Sequence, residues 1–119
     1  MERNAGQAAR RWSVWHRFPD PRYHGILMAP IGPGCYELRR SDVPEKALFG
    51  RSKNVAYRMT SLLPPPWGAG RRSNSKKRDY VLRYLDRIEY RTLACTGEEE
   101  ATLREDELRL ERHSYRFRT

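Results

Sequence analysis

The chain has 119 residues, of which 24 are Lys or Arg and 15 Asp or Glu, for a formal net charge of 24 − 15 = +9. At 38% apolar and 33% charged it is long enough for one domain with a modest core, which excludes a disordered polyelectrolyte; no apolar run approaches the roughly 18 residues of a membrane span. The excess of cations favours a polyanionic partner, most simply nucleic acid, over a merely solvated basic surface.

Residues 1–11 are polar, end in Arg10-Arg11 and hold no apolar signal-peptide segment. A disordered start is expected there, and a location in the cytoplasm or on the nucleoid. Trp12, Val14, Trp15, Phe18 and Tyr23 follow, broken by Pro19 and Pro21. Packing of this aromatic arm onto the domain is favoured over stacking on bases, because so apolar a stretch left exposed invites aggregation. Residues 24–29 read as an extra short strand, before Pro30, Gly32, Pro33 and Gly34 force a turn.

Residues 35–39 and 47–51 read as two strands, joined by a polar turn containing Pro44. Alternation puts Cys35, Glu37 and Arg39 on one face and Tyr36 and Leu38 on the other. Ser52 is the expected N-cap of a helix that stops at Pro64. Val55, Met59 and Leu62 form its core stripe, and Asn54, Arg58 and Ser61 an adjacent one, so Arg58 falls at the edge of the buried face. After a Pro- and Gly-rich loop comes a basic cluster of Arg71, Arg72, Lys76, Lys77 and Arg78. It spans the loop and the first turn of a second helix, expected over 75–86, where free N–H groups suit a phosphate.

Residues 88–95 read as the third core strand, with Ile88, Tyr90, Thr92 and Ala94 on one face. Thr96 and Glu99 form a capping-box pattern for a last helix carrying Ala101, Glu105 and Leu108 on one stripe. The arginine-rich segment 109–119 is expected to fray. Cys35 and Cys95 lack metal-ligand spacing and read as small buried residues of a reducing compartment.

Taken alone, Tyr36, Arg58 and Glu105 are a strand phenol, a cation beside a core stripe and a helix carboxylate. Phosphodiester hydrolysis needs a way to activate water and positive charge on the developing phosphorane. These groups could supply both, but Glu105 alone reads more readily as a salt-bridged helix residue.

Gly34-Cys35-Tyr36, Leu48-Phe49-Gly50, the Gly50-Arg51-Ser52-Lys53-Asn54-Val55 segment and Arg58 stand in an order and spacing that resembles the GIY-YIG nuclease domain. The 100–105 run resembles that family's later E-A-x-x-x-E segment, so the likeness covers roughly 33–112. The resemblance implies an α/β (α+β) fold: a small, mainly antiparallel three-stranded sheet flanked by helices. Around it lie an N-terminal extension (1–32) that can add a strand and a basic tail (113–119). It implies a small endonuclease hydrolysing DNA, or alternatively RNA, with a single Mg²⁺ or Mn²⁺. Tyr36, Arg58 and Glu105 would be catalytic, with Glu105 holding the metal. Arg51, Lys53, Asn54, Arg71, Arg72, Lys76, Lys77 and Arg78 would meet nucleic acid. The size suggests structure-directed cutting, work as a homodimer, or targeting by a partner chain.

Two positions depart from the pattern. Leu48 stands where the second-motif tyrosine is expected, and Leu62 where many members carry His or Tyr. A catalytically inactive nucleic-acid-binding module on the same fold is therefore the alternative.

Overall fold

Seven-residue runs of alternating character build the sheet, because each puts one row of side chains on either face. The computed structural model describes residues 11–23 and 25–117. Its strands are β1 (His16–Arg17), β2 (Gly34–Arg40), β3 (Lys46–Ser52) and β4 (Ile88–Ala94), in the antiparallel order β1-β4-β2-β3. The helices are α1 (Val55–Met59), α2 (Ser75–Arg83) and α3 (Glu98–Arg109). Among the described residues no helix is long and apolar enough to cross a membrane.

One sheet face builds the main core. Leu38 lies between Leu48 on β3 and Tyr90 on β4, and all three are buried with Val55 and Met59 of α1, Leu62 and Val81 of α2. The opposite face carries Cys35, Glu37, Phe49 and Arg91, and α3 covers part of it, where the Cys35 thiol donates to the Ala101 carbonyl at 3.4 Å. The three core strands and the flanking helices are thus those expected.

The added strand is elsewhere. Residues 25–29 form no strand; Ile26 and Met28 are exposed while Leu27 and Ala29 pack on the core. The Met28 amide donates to the Tyr90 hydroxyl at 2.6 Å instead of to a neighbouring strand. His24 lies outside the described residues, as does the start 1–10. The fourth strand is His16–Arg17, paired with Tyr90 and Glu89. The aromatic arm packs in part: Phe18 is in the core and the Arg91 guanidinium lies over Trp12 at 4.7 Å and Trp15 at 4.8 Å, whereas Val14 and Tyr23 are exposed.

Helix boundaries differ for local reasons. Ser52 still belongs to β3, so the N-cap of α1 is Asn54, whose side-chain oxygen accepts from the Tyr57 amide at 3.0 Å. Tyr84 closes α2 after Arg83, and 85–87 form a separate 3₁₀ turn. Gly97 caps α3, so the carboxylate that reaches back to the Thr96 amide, at 2.7 Å, is Glu100 and not Glu99. The third core strand, β4, ends at Ala94, leaving Cys95 just beyond it.

The expected fraying of 109–119 does not occur in its described part. Tyr115 is buried, stacks on Phe49 at 4.7 Å, and its hydroxyl donates to the Glu37 carboxylate. Beside it, the Arg116 and Phe117 amides donate to the Lys46 and Ala47 carbonyls at 2.8 and 2.9 Å. Apolar burial and backbone pairing therefore outweigh the repulsion among the arginines. Residues 118–119 lie outside the described residues.

In the arm, Asp20 is buried and accepts a fork from the Arg22 side chain at 3.2 and 2.8 Å. That hydrogen bond holds the Asp20 carboxyl below its ordinary range. A depressed folded-state pKa adds stability above the ordinary carboxylate range that is lost as pH falls through the folded value. Melting curves between pH 6 and about pH 2 are expected to fall less steeply for Asp20→Asn than for the parent; equal slopes would deny the role.

Candidate active site

Tyr36 sits in the middle of the sheet, opposite Gly50 on β3 and Thr92 on β4. Its ring lies across Gly50: a Cβ added there would come 2.5 Å from the Tyr36 hydroxyl. Because β3 is the last paired strand, this bare backbone lets the phenol reach over the sheet edge. The Arg58 guanidinium interacts with it from α1, whose Val55 and Met59 are buried in the core. Burial pushes the Tyr36 hydroxyl above its ordinary range, against the opposing pull of Arg58. The phenol is therefore a protonated donor at neutral pH.

Glu105 belongs to α3, which covers part of the other sheet face. Its side chain is only 14% exposed, and Oε1 accepts from Arg51 at 3.1 Å and pairs with Arg109 at 3.4 Å. The charge of Glu105 acts on Tyr36, which joins the three residues electrostatically. Lys77, half-buried on the first turn of α2, feels both Glu105 and Arg58; burial lowers its ammonium pKa. Beneath α3, burial pushes the Cys35 thiol up to about 12, so it stays protonated and is no nucleophile.

Around this centre the surface is cationic. Arg51, Lys53, Asn54, Tyr57, Arg58 and Arg71 line a groove of about 380 Å³. Arg72, Lys76 and Lys77 line a second groove, of about 560 Å³. Arg78 stands apart from both: its guanidinium turns inward and donates to the carbonyls of Leu63 at 2.8 Å and Gly68 at 3.0 Å, fastening the proline-rich loop. Asn54 has its side-chain oxygen engaged as the cap of α1. Leu48 and Leu62 are sealed in the core, so neither position offers a polar group to the site. Arg109 was not singled out from the sequence; its place four residues after Glu105 was the available signal.

The donor set bears on a metal. Among the described residues no group of three or more His, Cys, Asp and Glu could form a protein cage for an ion. Glu105 alone, a partly exposed carboxylate, fits a hard cation that keeps most of its waters, as Mg²⁺ does.

The close approach at Gly50 gives a test. In Gly50→Ala the methyl group must displace the Tyr36 hydroxyl. Misplacement on that scale is expected to lower any Tyr36-dependent rate about 10²-fold, with a stability loss of about 1–3 kcal/mol. Rate and melting temperature measured on one preparation would check this, and an unchanged rate would contradict it.

No family model and no curated protein matches the chain. A solved structure does: the GIY-YIG N-terminal endonuclease domain of UvrC from Thermotoga maritima, determined with its catalytic divalent cation, magnesium. The identity is 26% and the TM-score 0.52, over 77% of this chain and 86% of that one. With its four-stranded antiparallel sheet, its flanking helices and this neighbour, the chain has a GIY-YIG-like α+β fold.

Proposed function

We propose that the protein is a small metal-dependent endonuclease that hydrolyses DNA phosphodiester bonds. What supports the reading is that Tyr36 on β2 interacts with Arg58 of α1 and feels the charge of Glu105 on α3, three groups from three separate elements. The likeness to an endonuclease domain and the net charge of +9 support it.

In this reading the Arg58 guanidinium binds the scissile phosphate and meets the charge that develops on it. Tyr36, held protonated by burial, donates a hydrogen bond to the attacking water or a phosphate oxygen. A divalent cation held by Glu105 would supply Lewis-acid polarisation and a more acidic coordinated water. Arg51 and Arg109 hold the Glu105 carboxylate in place, and Arg51, Lys53 and Arg71 receive the backbone on either side. The same reading puts the protein in the cytoplasm or on the nucleoid, with targeting from a second copy or a partner chain.

Plasmid nicking with Mg²⁺ and Mn²⁺ tests the proposal. Cleavage is expected with the parent and lost in Glu105→Ala and Tyr36→Phe. The burial of Leu48 and Leu62 favours the second reading, a nucleic-acid grip without turnover. Salt-dependent DNA binding without cleavage, unaffected by Glu105→Ala, would establish it.

A further inference from the structure

The groove of about 560 Å³ at the start of α2 continues into a second hollow of about 290 Å³ along the same helix, and the two share Lys76, Arg116 and Phe117. Both volumes fall within or near the about 300–1,000 Å³ usual for sites that enclose a small molecule. Arg72, Lys76 and Arg116 are exposed at the rim, and the carboxylate among the lining side chains is Asp79, in the smaller hollow. Phe117 is half-buried and fixed edge-on against Tyr80, with ring centroids 5.6 Å apart and planes at 78°. The Arg116 guanidinium lies 4.9 Å from the centre of the Tyr80 ring. Cations around a rigid aromatic ring in a concave site make a place for a phosphate-linked base that is free to stack.

We infer that this groove binds an unpaired stretch of the nucleic-acid substrate, with its phosphates on Arg72, Lys76 and Arg116 and a base stacked on Phe117. A duplex keeps its base faces inside the helix and offers none to an aromatic ring, so the ring favours a single-stranded arm. Lys77, which lines the groove, also feels the charges of Glu105 and Arg58. The inference rests on the nuclease reading and narrows its substrate to DNA with an unpaired arm beside the cut.

Fluorescence anisotropy without divalent metal tests it, with a short duplex either blunt or carrying an arm of about ten thymidines. The parent is expected to bind the armed duplex about tenfold more tightly. Phe117→Leu is expected to lose that gain and keep its affinity for the blunt duplex, while Phe117→Trp retains the gain. Lys76→Ala, an exposed change that leaves the fold intact, should shrink the gain and its salt dependence. Equal binding of both duplexes by the parent, or a gain that survives both Phe117→Leu and Lys76→Ala, overturns the inference and leaves the nuclease reading standing. Absence of salt-dependent binding to any DNA overturns both. Displacement of the arm by polyglutamate as readily as by oligothymidine would mark an acidic-protein surface and overturn the inference.

Discussion

Arg58→Ala is expected to slow metal-dependent cleavage about 10²–10³-fold while changing DNA affinity much less. The reason is where the guanidinium is held. Asn54 fixes the start of α1, Val55 and Met59 anchor it, and Arg58 stands against the Tyr36 hydroxyl beside the groove. A cation placed there acts on charge that appears only as the phosphorane forms, so its removal lowers turnover more than binding. Arg58→Lys should recover only part of the loss, because an ammonium cannot present two parallel donors to a phosphate. Single-turnover rates and anisotropy on the same DNA separate the two effects. A parent-like rate in Arg58→Ala would remove Arg58 from the chemistry. A loss confined to affinity would make it a backbone contact.

Arg91→Ala is expected to destabilise the fold by about 3 kcal/mol, a fall of roughly 10 °C in Tm. The Glu37 carboxylate is fully buried in the central strand. It is neutralised by the Arg91 guanidinium at 2.6 Å and the Lys46 ammonium at 3.3 Å, and it accepts from the Tyr115 hydroxyl. Losing one cation leaves a buried charge under-compensated and also strips Trp12 and Trp15 of their guanidinium. The lower end of the range for buried pairs applies, because Arg91 is partly exposed and two partners remain. The double variant Glu37→Leu with Arg91→Met should recover most of the loss, since it removes the charge with its partner. Thermal melts would check both, and a single variant as stable as the parent would show that Lys46 and Tyr115 suffice.

The parts of the fold set by local pattern were legible in the sequence. Alternation marked the 35–39, 47–51 and 88–95 strands, and Val55, Met59 and Leu62 marked the face that α1 buries. What escaped was set by distant partners. His16–Arg17 is too short for a period to appear, and it pairs only because Tyr90 and Glu89 lie beside it. Ser52 and Asn54 are both good caps; the choice depended on where β3 releases the chain. Tyr115 was hidden in a basic segment, and its partner Glu37 lies 78 residues away. At the candidate site, motif spacing pointed to Tyr36, Arg58 and Glu105. It grouped Arg78 with its neighbours, although helix geometry turns that side chain inward.

The docked segment 115–117 has a further consequence. β3 lies at the margin of the sheet, where unpaired amides and carbonyls can recruit a strand from another molecule. By receiving the Arg116 and Phe117 amides on the Lys46 and Ala47 carbonyls, the segment closes part of that row from within the same chain. It guards a basic protein against self-association along this outer strand, and a chain lacking it would bare that edge to pairing between molecules as well as losing the packing of Tyr115.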